Sequence, residues 1–535
     1  MYPACMRGDV MVLALSLAGC TTPPAEPSAQ IVGGWPFRDL SVRADPTAQI
    51  EWSLDGTPAG SGPRVPAHEV RPGQEWSVTV TIGGEAATDR IEISDPPGGN
   101  VLILLFDDIG IDHVGSYGIN PAAPPTPTLD ALAAEGIRFT QAYTSPVCSP
   151  TRGILITGRH ARRTGLGWIA DTGTRDFALP LASTTVAEAL DDAWPAPWPT
   201  SAVGKWHMAG PKAEGVLTHP LDQGFDWFSG SVGNPSYREG RGYHDWDKNT
   251  NGVVETSTTY MTTDSIDDAI ARTQEMAEPW FLYLALNAAH TPLSPPPPEL
   301  ITTPVSVDDD DNVLFDATVE AMDTEIGRLL EAMGPELLSR TTLIAVGDNG
   351  TPEHAVDPPL DPSRAKHTVY EGGVRVPLII TGPHVAEPGS VSDALVHIAD
   401  LFPTTLHIAG VPLSGPDDAL ALDLGEPIAL DGRSLLPLLL DPRAPGHDEL
   451  FVEAFFPNGG PPPLEGGINR RALRDEHFKL VRNGSDEQLF ELPGPDSLED
   501  GTELHPPFDA IAGDAHARLR AGLDRIEDTI LFEGF

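Results

Sequence analysis

The sequence predicts an α/β protein: a large, mixed but mostly parallel sheet flanked by helices, with a small β module before it and an α+β subdomain after it. Three observations predict this. Val101–Phe106 is a continuous apolar run, the pattern of a strand buried on both faces. Between residues 98 and 445 such runs alternate with helical segments. On either side the texture changes, to alternating apolar and polar residues before and to short strands after.

Residues 1–30 read as a signal segment and linker. The apolar run Met11–Gly19 is far too short to span a bilayer as a helix. It ends in Leu17-Ala18-Gly19-Cys20 and is followed by a polar, Pro-rich stretch. This resembles a bacterial lipoprotein signal, in which cleavage precedes Cys20 and lipid is attached to it. An ordinary secretion signal is the alternative. Either implies export to the bacterial cell envelope, and the lipid implies anchoring to a membrane facing the periplasm or cell surface.

Residues 31–95 form the expected β module, which resembles an immunoglobulin-like sandwich. Ile50–Leu54 and Trp76–Ile82 alternate, with Gly/Pro turns between; a spacer or packing role is expected. Asp95-Pro96-Pro97-Gly98-Gly99 marks a boundary. In residues 98–445, Val101–Phe106 ends at Asp107-Asp108. Thr126-Pro127 starts a helix, with Thr126 as N-cap, that runs through Leu129, Leu132 and Ala133 to Gly136. Further strands are expected at Ser201–Val203, Trp280–Leu286, Thr342–Val346 and Leu378–Thr381, with a helix over Val319–Met333. Residues 446–535 form the C-terminal subdomain, with strands at Leu450–Ala454, Arg471–Arg474 and Phe478–Val481 and a helix near Asp514–Thr529.

The 535 residues carry 33 Lys+Arg against 78 Asp+Glu, a net charge of -45. A nucleic-acid partner is excluded, because phosphate contacts need a basic footprint. An anionic substrate would need a locally positive pocket. The run Asp308–Asp311 is expected to be a solvated loop. The three cysteines are Cys5, Cys20 and Cys148. The first two lie in the targeting segment, so Cys148 has no disulfide partner in the folded body. A lone thiol in an exported protein points to a chemical role.

In open α/β sheets chemistry gathers at the carboxyl ends of strands. Asp107 and Asp108 follow one expected strand, and Asp348 and Asn349 follow another. Asp-Asn-Gly is also an ordinary turn sequence, but two such sites at central strand ends favour a divalent cation between the carboxylates. All-oxygen donors suit Ca²⁺, with Mg²⁺ second, and not zinc. Cys148 precedes Pro150 and a helix expected to begin near Thr151, where the N-terminus favours an anion. Soft sulfur is a poor ligand for a hard cation. The conflict disappears if Cys148 is converted to a group bearing oxygens.

Cys148-Ser149-Pro150-Thr151-Arg152, followed by Leu155 and Thr157-Gly158-Arg159, resembles the signature of the formylglycine-dependent sulfatases. The resemblance continues in order through Gly204-Lys205-Trp206-His207, Gly224-Phe225-Asp226, His290-Thr291-Pro292, Asp348-Asn349-Gly350, Lys366, Tyr370–Pro377 and Asp400–Thr404. It covers about residues 100–510. It implies an alkaline phosphatase/sulfatase-like fold and hydrolysis of a sulfate ester to alcohol and sulfate. A maturation enzyme oxidises the cysteine to formylglycine, whose hydrate supplies a nucleophilic hydroxyl held on Ca²⁺ and a second hydroxyl that loses its proton to expel sulfate. By position, Asp107, Asp108, Asp348, Asn349 and the converted Cys148 match the metal ligands. Arg152 matches the residue steadying that site. Lys205 and His207, two apart on an expected extended segment and so pointing one way, match residues that hold the formylglycine, with His207 the base. His290 and Lys366 match the pair that binds sulfate and protonates the leaving oxygen. One departure is Gly347, where relatives often carry a small hydroxyl residue; another is Thr151, where serine is also common. Alternatives are a phosphate or phosphonate monoester hydrolase of the same superfold and a non-catalytic surface binding protein. The residues leave open whether the ester is aryl, carbohydrate or alkyl.

Overall fold

The computed structural model describes residues 31–32, 40–42, 48–65, 70, 74–82, 85–92, 98–172, 177–193, 195–235, 242–358, 360–411, 413–414, 419–420, 428–460, 467–506 and 508–529. The signal segment and Cys20 lie outside them. The chain forms two compact units.

The first unit is all antiparallel β. One sheet orders Thr57–Ser61, Gln49–Leu54, Glu75–Ile82 and Glu85–Glu92; a second joins Ile31–Val32, Leu40–Val42 and Arg64–Val65. Trp76, Val78 and Val80 point inward at every second position of their strand. Trp52 and Trp76 meet edge to face at 6.3 Å, and the Trp52 indole donates to the Gly62 carbonyl.

The second unit is built on an eleven-stranded sheet. Its central strands are β1 (Asn100–Phe106), β2 (Ile137–Tyr143), β3 (Thr200–Lys205), β4 (Trp227–Ser231), β5 (Phe281–Ala285), β6 (Thr341–Gly347) and β7 (Arg375–Thr381). In space they run β4-β3-β5-β1-β6-β7-β2, with Trp246–Thr250 and Val253–Ser257 beyond β4 and Ser390–Ser392 beyond β2. The five from β4 to β6 are parallel, and β7 is reversed between β6 and β2. The fold is thus the mixed α/β sheet expected.

The apolar run of β1 divides between two layers. Val101, Ile103 and Leu105 join the core under α2 (Cys148–Thr157) and α5 (Leu401–Ala409). Leu102, Leu104 and Phe106 join the core under α1 (Pro127–Glu135), α3 (Met261–Glu275) and α4 (Asp311–Leu338). Two covered faces are why β1 reads as unbroken rather than alternating.

Three local expectations are corrected. Thr126 does not cap α1 with its side chain; its hydroxyl accepts from the Gly115 amide instead. The first-turn amides of Thr128 and Leu129 are taken by Asp323 of α4 at 2.8 and 2.9 Å. A tertiary carboxylate replaces the local cap. The helix expected near Thr151 begins at Cys148. The third is at His207, which lies beyond the end of its strand. Asp308, Asp309 and Asp310 form the exposed loop expected, while Asp311, also exposed, opens α4.

The C-terminal strands Leu450–Phe456, Ile468–Arg474, Phe478–Asn483, Asp486–Glu491 and Thr502–Leu504 form a separate antiparallel sheet. Leu519 and Leu523 of α6 (Ala510–Thr529) pack on it beside Leu473 and Leu480. Buried Glu371 ties this sheet to the main one, accepting from Lys479 at 2.8 Å and from the Tyr143 hydroxyl at 2.7 Å. Among the described residues no helix is long and apolar enough to cross a membrane.

Candidate active site

The carboxyl ends of two neighbouring strands converge. Asp107 and Asp108 leave β1, and Asp348 and Asn349 leave β6 beside it. The strands are parallel and in register through Gly347 and Phe106, so their carboxyl ends reach the same level. The Asp348 amide donates to the Phe106 carbonyl, and the Asp108 amide donates to Asp348 Oδ1 at 3.1 Å. Asp108 adopts φ 67, a left-handed conformation that costs about 1–2 kcal/mol for a non-glycine residue. Beneath the loop, the Thr351 hydroxyl donates to Asp112 at 2.6 Å and accepts from the Gly110 amide. Glycine at 347 has a direct cause: a Cβ there would lie 2.3 Å from the Ile109 carbonyl oxygen. The departure noted in the sequence is thus the residue this loop path requires.

α2 brings Cys148 and Arg152 to the same place. Cys148 is its first residue, fully buried, and four residues on Arg152 lies one turn along the same face. Arg152 donates from Nη2 and Nε to Asp348 Oδ2 at 2.8 and 3.1 Å, and from Nη1 to the Lys205 carbonyl at 2.8 Å. It also lies 3.8 Å from Asp107.

Lys205 ends β3, and its ammonium pairs with Asp107. The sequence placed His207 on the same extended segment, but the strand stops at Lys205 and His207 sits at φ 53. The Trp206 and His207 amides instead follow the carbonyls of Ser231 and Val232 at the end of β4. The left-handed residue turns the ring so that Nδ1 lies 3.2 Å from Cys148 Sγ. Both side chains reach the site, by different routes.

Lys366 and His290 close the opposite side. Lys366 Nζ donates to Asp108 Oδ1 at 2.5 Å, and His290 Nε2 lies 3.9 Å from Asp108 Oδ2. His290 Nδ1 is 2.6 Å from the Thr291 carbonyl. A carbonyl only accepts, so Nδ1 carries the proton and Nε2 is the exchanging nitrogen.

The charges shape one another. Burial pushes Asp107 up, with Lys205 opposing it. Burial and Asp107 raise Asp348 to about 6. Burial works against ionised Asp108, yet Lys366 and His290 hold it well below the usual carboxylate range. Burial also opposes a Cys148 thiolate, but Lys205 and His207 bring the thiol down to about 6. Burial and Lys205 push His290 well below the usual imidazole value.

The residues fit a hard divalent cation. Asp107 Oδ1 and Asn349 Oδ1 are buried with no hydrogen-bond partner among the described residues, an arrangement that costs about 1–3 kcal/mol per atom unless something positive is bound. Ligand atoms of Asp107, Asp348 and Cys148 all lie within 4.8 Å of one another. Sulfur is the misfit in an otherwise oxygen-bearing set. All ten sequence-selected residues therefore meet in one buried cluster. Sequence reasoning missed Asp171, 3.8 Å from His207 Nε2; nothing in its spacing signals the contact, which depends on two loops meeting.

Residues 99–411 match the Sulfatase family. The chain is 32% identical to human (Homo sapiens) N-acetylgalactosamine-6-sulfatase over 380 residues, covering 65% of this chain and 66% of that protein. It is 27% identical to rat (Rattus norvegicus) arylsulfatase G over 502 residues, covering 82% of this chain and 89% of that protein. Among solved structures, Ps i-CgsB in complex with k-i-k-neocarrahexaose superposes with a TM-score of 0.65 at 23% identity, over 80% of this chain and 93% of that one, a likeness of fold. On the match that spans the site and the sheet carrying it, the chain belongs to the sulfatase family.

Proposed function

We propose that the protein hydrolyses sulfate esters, with the side chain at position 148 acting as nucleophile after conversion of Cys148 to formylglycine, assisted by Ca²⁺. One observation carries the reading: the only described cysteine of the body lies at the start of a helix, among three carboxylates and three fixed cations. Asp107, Asp108 and Asp348 balance Lys205, Lys366 and Arg152 in formal charge. A divalent cation would make the cluster net positive, which suits an anionic ester in a protein whose overall charge is strongly negative.

Asp107, Asp108, Asp348 and Asn349 would hold the cation, which when bound lowers the pKa of a coordinated hydroxyl and stabilises developing negative charge. The aldehyde hydrate at position 148 would supply one hydroxyl for attack on sulfur and a second whose deprotonation releases sulfate. Arg152 keeps Asp348 ionised and oriented. Lys205 holds the hydrate at position 148, and Lys366 and His290 bind the sulfate oxygens. Lys366 Nζ, paired with His290 across Asp108, delivers a proton to the leaving alcohol oxygen, and His207 Nδ1 takes one from the hydroxyl at position 148. The names of the relatives support a carbohydrate sulfate as the substrate class, and a formylglycine-generating maturation enzyme as the partner required.

The test is turnover of aryl, carbohydrate and alkyl sulfates, each paired with the matching phosphate monoester, by protein coexpressed with a maturation enzyme. Faster hydrolysis of sulfates is expected. Faster hydrolysis of phosphates would transfer the assignment to phosphoryl chemistry.

We also infer that the protein is exported to the cell envelope and lipid-anchored at Cys20, on the strength of the apolar run and Leu17-Ala18-Gly19-Cys20. Labelled palmitate should enter the wild type and not a Cys20→Ala variant.

A further inference from the structure

The two nitrogens of His207 face different partners. Nδ1 lies 3.2 Å from Cys148 Sγ. Nε2 is buried and has no hydrogen-bond partner among the described residues, in a side chain with 1% of its surface exposed. Its nearest carboxylate oxygen is Asp171 Oδ1 at 3.8 Å. Asp171 lines a cavity of about 280 Å³ that is also bordered by Ser231, Val232 and Gly233, the stretch that takes the His207 amide.

Asp171 is tethered to the nucleophile's own helix. The amide of Ala170, one residue before it, donates to the hydroxyl of Ser149, one residue after Cys148, at 3.1 Å. The Phe177 amide closes the same loop on the Ala170 carbonyl. The carboxylate, the imidazole and position 148 are thus linked through Ser149 as well as through the ring itself.

Resting on the sulfatase reading above, we propose that Asp171 is a positioning residue for His207: its carboxylate accepts the Nε2 proton and fixes the tautomer that leaves a lone pair on Nδ1. The physical need is specific. A neutral imidazole carries one proton, and only the Nε2–H tautomer can accept at Nδ1. Without an acceptor at Nε2, the buried N–H would be unsatisfied and the ring would be free to place its proton on Nδ1, facing the nucleophile with a donor. With Asp171 in place, the hydroxyl proton at position 148 passes to Nδ1. The Nε2 proton stays on the ring, and the carboxylate stabilises the resulting imidazolium without itself becoming protonated. A carboxylate in this role, as in the hydrolase triads, changes turnover more than binding.

The experiment compares wild type, Asp171→Asn, Asp171→Glu, His207→Ala and the Asp171→Asn/His207→Ala double variant. Formylglycine content is measured by peptide mass spectrometry and folding by thermal melting. The expected result is a fall in kcat of about 10- to 100-fold for Asp171→Asn with KM within about threefold, partial recovery in Asp171→Glu, and no further loss when Asp171→Asn is added to His207→Ala. A second readout needs no activity. In a Cys148→Ser variant labelled with [15N]histidine, where no thiolate faces the ring, the His207 resonances, identified by their loss in His207→Ala, should report the Nε2–H tautomer with Asp171 in place and a different protonation pattern once Asp171→Asn is added. If wild type with formylglycine hydrolyses no sulfate ester, the sulfatase reading fails while the spectrum still judges Asp171. Unchanged kcat in Asp171→Asn, additive losses in the double variant, or an unmoved His207 spectrum would each overturn the proposal. Should Asp171→Asn melt early, Asp171→Glu and the spectrum of Asp171→Ser decide it.

Discussion

Arg152 Nη2 donates to Asp348 Oδ2 at 2.8 Å, and neither side chain has exposed surface. The same guanidinium holds the Lys205 carbonyl at the end of β3. One residue of the cysteine helix therefore fastens the ends of two strands that are not adjacent in the sheet. Removing it leaves a buried carboxylate uncompensated, at a cost of about 3–5 kcal/mol. Arg152→Ala should melt markedly earlier and lose about 1000-fold or more in kcat/KM. Arg152→Lys should recover only part of this, since an ammonium lacks the planar fork that reaches both partners. Melting curves and steady-state kinetics on matched, formylglycine-quantified samples check both.

Chelation should lower both the melting temperature and the activity, and added Ca²⁺ should restore them. Any ion bound by the folded state alone stabilises it by mass action. Asp107→Asn and Asn349→Ala should weaken metal uptake measured by elemental analysis, because each alters an oxygen that is otherwise orphaned.

Cys148→Ala should keep the fold and lose sulfate-ester hydrolysis. Among converted wild-type molecules, mass spectrometry of the Cys148 peptide should show loss of sulfur and gain of an aldehyde. Full activity from an unmodified thiol would overturn the mechanism.

Gly347→Ser should destabilise the protein although a small hydroxyl residue is common there in the resembling family. The added Cβ meets the Ile109 carbonyl oxygen at 2.3 Å, a backbone atom that cannot swing aside. Thermal melting should fall by an amount typical of overpacking, about 1–3 kcal/mol, and a wild-type melting curve would refute the account.

His113 supplies a pH test away from the reacting atoms. Burial opposes its charged form, but Asp112 at 3.2 Å and Asp316 at 3.4 Å raise it to about 10 from an ordinary 6.5. A raised pKa means the folded state holds the proton more tightly. The stabilisation is complete below about pH 6.5 and is lost as pH rises through about 10. The stability penalty of His113→Asn should therefore be largest near pH 6 and shrink toward pH 10, measured by denaturant unfolding. A penalty independent of pH would show that His113 is neutral in the folded protein.

Parts of the molecule were legible for particular reasons. β1 and β6 announce themselves because burial on both faces demands unbroken apolar runs. β2 does not, because Thr140 and Gln141 are buried within it and their polarity is answered by distant Asp393, which accepts from the Thr140 hydroxyl and whose carbonyl accepts from the Gln141 amide. The start of α1 misleads for the same reason: its capping carboxylate, Asp323, is 195 residues from Thr128.

By itself, the sequence determined the chemistry available to this protein: a single body cysteine at a helix start, two carboxylate-bearing strand ends, and the ordered lysines and histidines between them. These are local facts, written in residue types and short spacings. Only the tertiary structure decided how they meet. It set Arg152 across Asp348 and Lys205, turned His207 toward Cys148 through a left-handed backbone at a strand end, and placed Asp171 behind the ring. Each of those contacts joins segments far apart in the chain, and their geometry follows from strand order and loop packing, which no local pattern encodes.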